Sequence, residues 1–338
     1  MNDSSLVKVG LVGAGGWARG YHLRWILAQQ GTTRITAVCE PSPEAYAATV
    51  ELFHAAELDP PPNQPDFEKF LAEYAADLDA ALITTPHALH HAQSCACLEA
   101  GLHVLVEKPM VMDAAEARSL IEARDKSGKH LVVSFQGSLS PQIRKADELL
   151  RGGELGDLLS VSATIWQGWR AATVDKWRQE PEVAGGGMLF DTGAHMMNTV
   201  ADLVGEDFAE VTAFIDRRGT SVDVNAVITA RTVSGVMVTM HACGDTIPTC
   251  KSEIYVYCTR GILRTGAWGE KLDLQRHGRK TLRKVQVEEY KGAWQRFLSV
   301  LRGEIENPSP PEVGLRMARL WDAINASAEK NGAPVRLD

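Results

Sequence analysis

Val7-Lys-Val-Gly-Leu-Val-Gly13-Ala14-Gly15-Gly16-Trp17-Ala18 decides how the rest of the chain is read. A short apolar run that ends in glycines reads as a buried strand, and the amphipathic stretch after it, through Leu27, reads as a helix. A glycine-rich turn between strand and helix is the setting in which a G-x-G-x-x-[GA] pattern carries chemical meaning. Gly13 permits the tight turn, Gly15 lets the backbone approach a pyrophosphate, and Ala18 takes the third small position where helix packs on strand. The anion would sit on the helix N-terminus, beside Gly16 and Trp17. The first half of the chain is therefore expected to hold a dinucleotide.

The strands that follow end in polar residues, as ligand-bearing edges of open α/β sheets do. Ile35-Thr-Ala-Val-Cys39 ends at Glu40, whose carboxylate suits the ribose hydroxyls of an adenosine and repels a 2′-phosphate, so NAD is favoured over NADP. Asp59 to Pro65 carries four prolines and reads as a rigid loop. Ala80 to Ile83 stops at Thr84-Thr85-Pro86-His87, and a helix from His90 closes at Gly101. Val104-Leu-Val runs into Glu107-Lys108-Pro109, where proline stops the strand and aims Lys108 away from the sheet. A cis Lys108–Pro109 bond would help to aim that ammonium. Leu131-Val-Val-Ser-Phe135 is read as the sixth strand of a doubly wound parallel sheet.

At 338 residues the chain fits two domains. These are expected at 1–137, a Rossmann domain, and 138–338, an α+β domain with a mostly antiparallel open sheet. A net charge of −8, with no basic stripe read along the chain, argues against nucleic acid. No apolar run of spanning length is present, and Met1 to Ser5 is polar without a signal pattern, so the expectation is a cytoplasmic protein off the membrane. Six scattered cysteines read as reduced thiols. No metal is expected: Cys95 and Cys97 beside His90 and His91 would diverge on a helix, and zinc spacings are absent.

The second half changes rhythm. Strands at Leu158 to Trp166, Ala209 to Ile215, Val222 to Ala230, Val236 to Ala242 and Glu253 to Cys258 follow with short turns. Met237, Thr239, His241 and Cys243 form a mixed face that could be solvated or could pair with another subunit. Trp177-Arg178 precedes Gly185-Gly186-Gly187-Met-Leu-Phe-Asp191-Thr-Gly193-Ala-His195. The three glycines are expected to release the chain into a helix on which Asp191 and His195, four apart, share one face, with Gly193 leaving room for something to come close.

These motifs, in this order and spacing, resemble the glucose-fructose oxidoreductase, inositol dehydrogenase and rhizopine-catabolism family of NAD(P)-dependent oxidoreductases, from about Val7 to Leu337. The resemblance rests on the Gly13 to Ala18 loop, Thr85-Pro86 with His90, Ala100 to Val104 with Glu107-Lys108-Pro109, Trp177-Arg178, and Gly185 to His195. It implies that Glu107 and Lys108 lie beside the nicotinamide and Trp177 and Arg178 near the cofactor. It further implies that Lys108, Asp191 and His195 form the catalytic group, acting on sugars, cyclitols or related polyols. Homodimers or homotetramers through the C-terminal sheet are implied as well. His87, Asn198 and Gln136-Gly137-Ser138 depart from the family's pattern on the substrate side.

The resulting expectation is hydride transfer from a secondary alcohol. His195 serves as base because its ordinary pKa lies near neutrality, Lys108 stabilises the alkoxide, and Asp191 orients His195 or a substrate hydroxyl. Exchange of the first two roles stays open, as a buried lysine can be a base. So do a redox-assisted glycosidase, a hydride exchange between two sugars and a nucleotide-sensing regulator.

Overall fold

A computed structural model describes residues 6–337; Met1 to Ser5, and with them the polar start read above, and Asp338 lie outside the described residues. The chain divides into two compact units. One comprises residues 1–111, 115–134 and 291–311, and the other residues 112–114, 135–290 and 312–338.

In the first unit β1 (Val7–Val12), β2 (Thr33–Cys39), β3 (Ala80–Ile83), β4 (His103–Val106) and β5 (Leu131–Val133) form a parallel sheet in the order β2-β1-β3-β4-β5. The order reverses at β1, the switch point at which open α/β sheets hold ligands. All four residues of β3 are fully buried, as expected of a strand covered on both faces. The sheet has five strands, the same five segments quoted from the sequence, so the count of six was one too many. The place beside β2 is taken by the proline loop, which reaches it through a single bridge, with Val38 N–H donating to Pro62 O and Gln64 N–H to Val38 O, both 2.9 Å. Pro60, Pro61, Pro62 and Pro65 bring no N–H, so the bridge cannot extend into a ladder.

Residues 291–311 return to this unit from far along the chain, and Phe135 begins the other unit, where the sequence reading put the boundary after 137. Their attachment is specific. The Trp294 indole is buried and donates to Thr33 Oγ1 (2.7 Å), and Val133 N–H donates to Ser309 O (2.8 Å).

The second unit is built on nine strands: β6 (Leu158–Gln167), β7 (Phe208–Asp216), β8 (Asn225–Thr232), β9 (Met237–Cys243), β10 (Cys250–Cys258), β11 (Gly261–Thr265), β12 (Leu272–Arg276), β13 (Arg283–Lys284) and β14 (Val335–Arg336). They lie in the order β13-β12-β11-β10-β6-β9-β8-β7-β14, antiparallel except for β6 with β9. Strands β11 to β13 were not read from sequence. Alternation sorts the two faces. Val161, Ile165, Val238, Met240 and Val256 point inward, while Phe214, Val227 and Met237 point outward and are more than half exposed. The helix Gly193–Val204, buried at every residue, packs on the inner face. All six cysteines are free thiols, and among the described residues no helix is long and apolar enough to cross a membrane.

Candidate active site

The turn after β1 has the shape its glycines predict. Gly13 sits at φ +84°, and a Cβ there would lie 2.9 Å from the Thr85 side chain and 3.0 Å from backbone, so no other residue fits. A Cβ on Gly15 or Gly16 would meet nothing within 4 Å, which leaves the outer side of the loop open to a bulky anion. Glu40, buried at the end of β2, accepts from Ala14 N–H (2.6 Å) and Ser42 N–H (2.8 Å). The residues present therefore fit a dinucleotide: an open glycine cradle, with a carboxylate held beside it where a ribose would lie. Trp17 is exposed and stacks on Tyr21 at 4.9 Å.

The β3 and β4 ends are tied to this loop and to each other. Thr84 Oγ1 donates to Gly13 O (2.6 Å), and Thr85 Oγ1 to Gln93 (2.6 Å). His90 has no exposed surface; its Nδ1 lies 2.8 Å from Pro109 O and its Nε2 2.8 Å from Thr85 O. Burial pushes its pKa down, and the two carbonyls pull the other way. The ring thus braces the Thr85-Pro86 turn against the Lys108–Pro109 bond, which is cis.

Glu107 is buried and accepts from the Trp17 indole (2.9 Å), from His22 Nε2 (2.7 Å) and from Lys108 N–H (3.1 Å). Burial alone raises a carboxyl pKa, but the His22 hydrogen bond and charge, the Lys108 ammonium and the indole outweigh it and hold Glu107 at about 2. Lys108 is half-buried, next in chain to this anchored anion.

In the second unit Asp191 does not lie on a helix with His195, as the spacing suggested. The chain turns tightly through Met188 to Thr192, with Asp191 N–H donating to Gly187 O and Gly193 N–H to Met188 O, both 2.8 Å, and the helix begins at Gly193. Asp191 is buried and accepts on Oδ2 from the Trp169 indole (3.0 Å) and Arg178 Nε (3.1 Å). The Arg178 guanidinium also lies over Trp177, 4.4 Å from the ring centroid. His195, on the first turn of the helix, is buried between Phe135 (6.2 Å) and Trp268 (5.7 Å). Gly193 leaves no open space between them, since a Cβ there would strike Leu189 at 2.9 Å. Asn198, one turn on, donates to Ser138 Oγ (2.6 Å) and accepts from Arg316 (3.2 Å).

Asp223 holds the Asp191 turn from beneath. Its carboxylate accepts from Gly187 N–H (2.5 Å) and Leu189 N–H (2.6 Å), and its own carbonyl from Met188 N–H (2.9 Å). A Cβ on Gly187 would fall 1.8 Å from that carbonyl. Burial pushes the Asp223 carboxyl above the usual range against the two N–H bonds. The Asp223 carbonyl is taken by Met188 N–H, and β8 starts at Asn225, not at Val222 as its apolar pattern suggested.

Sequence reading missed His22, Trp169 and Asp223. An acid between Val222 and Val224 was a signal in hand; a histidine and a tryptophan inside amphipathic stretches give none.

A parallel sheet with a glycine cradle at its switch point, in a chain with a second unit built on an antiparallel sheet, defines a two-unit protein of the dinucleotide-binding class. The comparisons with known proteins agree. Residues 7–135 match the oxidoreductase family with an NAD-binding Rossmann fold, and residues 143–264 match the GFO/IDH/MocA C-terminal domain. The chain belongs to the glucose-fructose oxidoreductase, inositol dehydrogenase and rhizopine-catabolism family. It is 32% identical to levoglucosan dehydrogenase of Pseudarthrobacter phenanthrenivorans over 41% of this chain and 36% of that one. It is 33% identical to inositol 2-dehydrogenase of Corynebacterium glutamicum over 47% and 45%. It is 26% identical to D-glucoside 3-dehydrogenase of Escherichia coli over 60% and 55%. The matched stretches thus span about half or less of these relatives. The crystal structure of aldose-aldose oxidoreductase from Caulobacter crescentus and the solved structure of levoglucosan dehydrogenase in complex with NADH and levoglucosan share the fold. Each has a TM-score of 0.84 at 21% identity, covering 98% of this chain and 100% of that one.

Proposed function

We propose that this protein is an NAD-dependent dehydrogenase acting on a secondary alcohol of a sugar, cyclitol or related polyol. The observation that carries the reading is one chain, matched by both family domains, that supplies Lys108 at the end of a parallel strand and the Asp191 turn leading into His195. Bound NAD supplies the hydride acceptor. His195 takes the hydroxyl proton, Lys108 offers a fixed positive charge to the developing alkoxide, and Asp191, held by Trp169 and Arg178, orients the imidazole or a substrate hydroxyl. Gly13, Gly15, Gly16 and Trp17 form the pyrophosphate loop, Glu40 receives the ribose, and Thr85 and Pro86 border the cofactor with His90 as their brace. Trp177 and Arg178 are assigned to the cofactor as well. The negative charge of Glu40 supports NAD over NADP.

The outward face of the second sheet, with Phe214 paired to Val227 in register, supports a homo-oligomer joined there. A cytoplasmic setting is supported by six free thiols.

Purified protein incubated with NAD and a panel of polyols and sugars tests the reading through NADH absorbance. NADH formation on at least one member is expected. Aglycone release from aryl glycosides at constant NADH would replace the dehydrogenase with a redox-assisted glycosidase.

A further inference from the structure

Arg276-His-Gly-Arg279-Lys280-Thr-Leu-Arg283-Lys284 places five Lys and Arg and no acid in nine residues of a chain whose net charge is −8. The expectation of no basic stripe overlooks this segment, because a whole-chain charge averages away local density. The segment forms the end of β12, a turn with Gly278 at φ +76°, and β13, which returns antiparallel so that Leu274 faces Arg283 and Asp273 faces Lys284.

Opposite the hairpin lies the helix Pro141–Arg151, and a groove of about 760 Å3 runs between them. Arg276, Arg279, Arg283, Lys284 and, from the helix, Lys145 line it, over a floor that includes Leu149, Leu274 and Val285. The acids in its lining are Glu148 and Glu154, and both are engaged, Glu148 by Lys145 (2.7 Å) and Glu154 by Arg276 (3.0 Å). Five cations less two acids leave a surplus of three positive charges, and among the described residues Arg279, Arg283 and Lys284 have no acidic partner.

Cations on an edge strand guard a sheet against pairing with another edge, and that accounts for Arg283 and Lys284. It does not account for a turn arginine and a helix lysine facing the same groove, where like charges repel unless an anion sits among them. The groove has the volume of a small-molecule site rather than of a surface stripe. Guanidinium forks take phosphate oxygens two at a time, and three surplus charges match a diphosphate. We propose that this groove binds a small molecule carrying a diphosphate, with its remaining part against the apolar floor. None of its lining residues belongs to the candidate catalytic or cofactor set, so the proposal stands independently of the dehydrogenase reading.

Calorimetric titration of the whole chain tests it, with inorganic pyrophosphate, inorganic phosphate and sulfate as probes. Saturating NADH is present throughout, so that the dinucleotide loop is occupied. One pyrophosphate per chain is expected, bound roughly tenfold tighter than phosphate and weakened by salt. The double variant Arg279→Ala/Arg283→Ala is expected to weaken it by at least about tenfold. Lys145→Glu, on the helix and outside the hairpin's own strands and turn, should weaken it comparably with an unchanged thermal melt, and it decides the matter if the hairpin variant folds poorly. Absence of pyrophosphate binding, or binding undiminished in Lys145→Glu, overturns the site. An oligonucleotide that binds tighter than pyrophosphate and is lost in the same variants overturns the diphosphate in favour of a nucleic acid.

Discussion

At the scale of single residues, Glu40 and the pair Lys108 and His195 carry the sharpest expectations. Glu40 is held by two backbone N–H groups, one on each oxygen, so Glu40→Gln keeps one acceptor, loses the other bond and removes the charge. Loss of that repulsion should shift the ratio of kcat/KM for NADP over NAD upward by roughly tenfold or more. An unchanged ratio would remove Glu40 from cofactor choice. Lys108→Ala and His195→Ala should each cost on the order of 10² or more in kcat, with NADH binding, read by fluorescence, within a few-fold of wild type. Near wild-type turnover in both would discard the proposed chemistry. The residue types at these positions were legible from the sequence; the reach of Glu107 to His22 and Trp17 was not. Hydrogen bonds across 85 and 90 residues leave no periodic trace.

At the scale of elements, the turn from Gly185 to Thr192 depends on Asp223. Asp223→Asn puts an amide NH2 against one of two buried backbone N–H groups, leaving it unsatisfied at a cost of about 1–3 kcal/mol. A lowered melting temperature is expected, with kcat falling more than KM rises because Asp191 is displaced rather than removed. If Asp223→Asn melts like wild type and keeps its kcat, the clamp has no such role. The end of β4 behaves similarly toward pH. Glu107 is held at about 2, below the ordinary carboxylate value of 4.5, so its contribution to stability is fully present above pH 4.5 and is lost as pH falls toward 2. That contribution is on the order of 3 kcal/mol. Acid unfolding followed by circular dichroism should show wild type losing stability across that window. Glu107→Gln should be destabilised at neutral pH and show a flatter dependence there.

At the scale of the whole molecule, the outward sheet face is the feature with an assembly consequence. Phe214, Val227 and Met237 expose apolar surface on adjacent strands, and burying it against a second copy removes that surface from water. Val227→Glu should lower the mass measured by light scattering to that of one chain, with little change in the melt of the unit itself. A single-chain mass for wild type would withdraw the oligomer. The same sheet shows why sequence alone underestimates a β architecture. Strands β11 to β13 run for five residues or fewer, too short to stand out from loops, yet each pairs with its neighbour in register.

What the sequence by itself determined are the properties set by local chemistry: the glycine turn after β1, the carboxylate at the end of β2, the strand stopped at Glu107-Lys108-Pro109, and the alternation of β9. Each depends on backbone freedom or side-chain period within a dozen residues, so it is written where it acts. The tertiary structure alone decided the rest. The proline loop meets the edge of β2 through one bridge, at Val38 and Asn63. Residues 291–311 join the first unit because Trp294 finds Thr33. Asp191 lies in a turn ahead of its helix, and Asp223 holds that turn by the N–H groups of Gly187, Met188 and Leu189. These outcomes depend on which buried polar group reaches which partner across tens to hundreds of residues, and only the folded chain settles that.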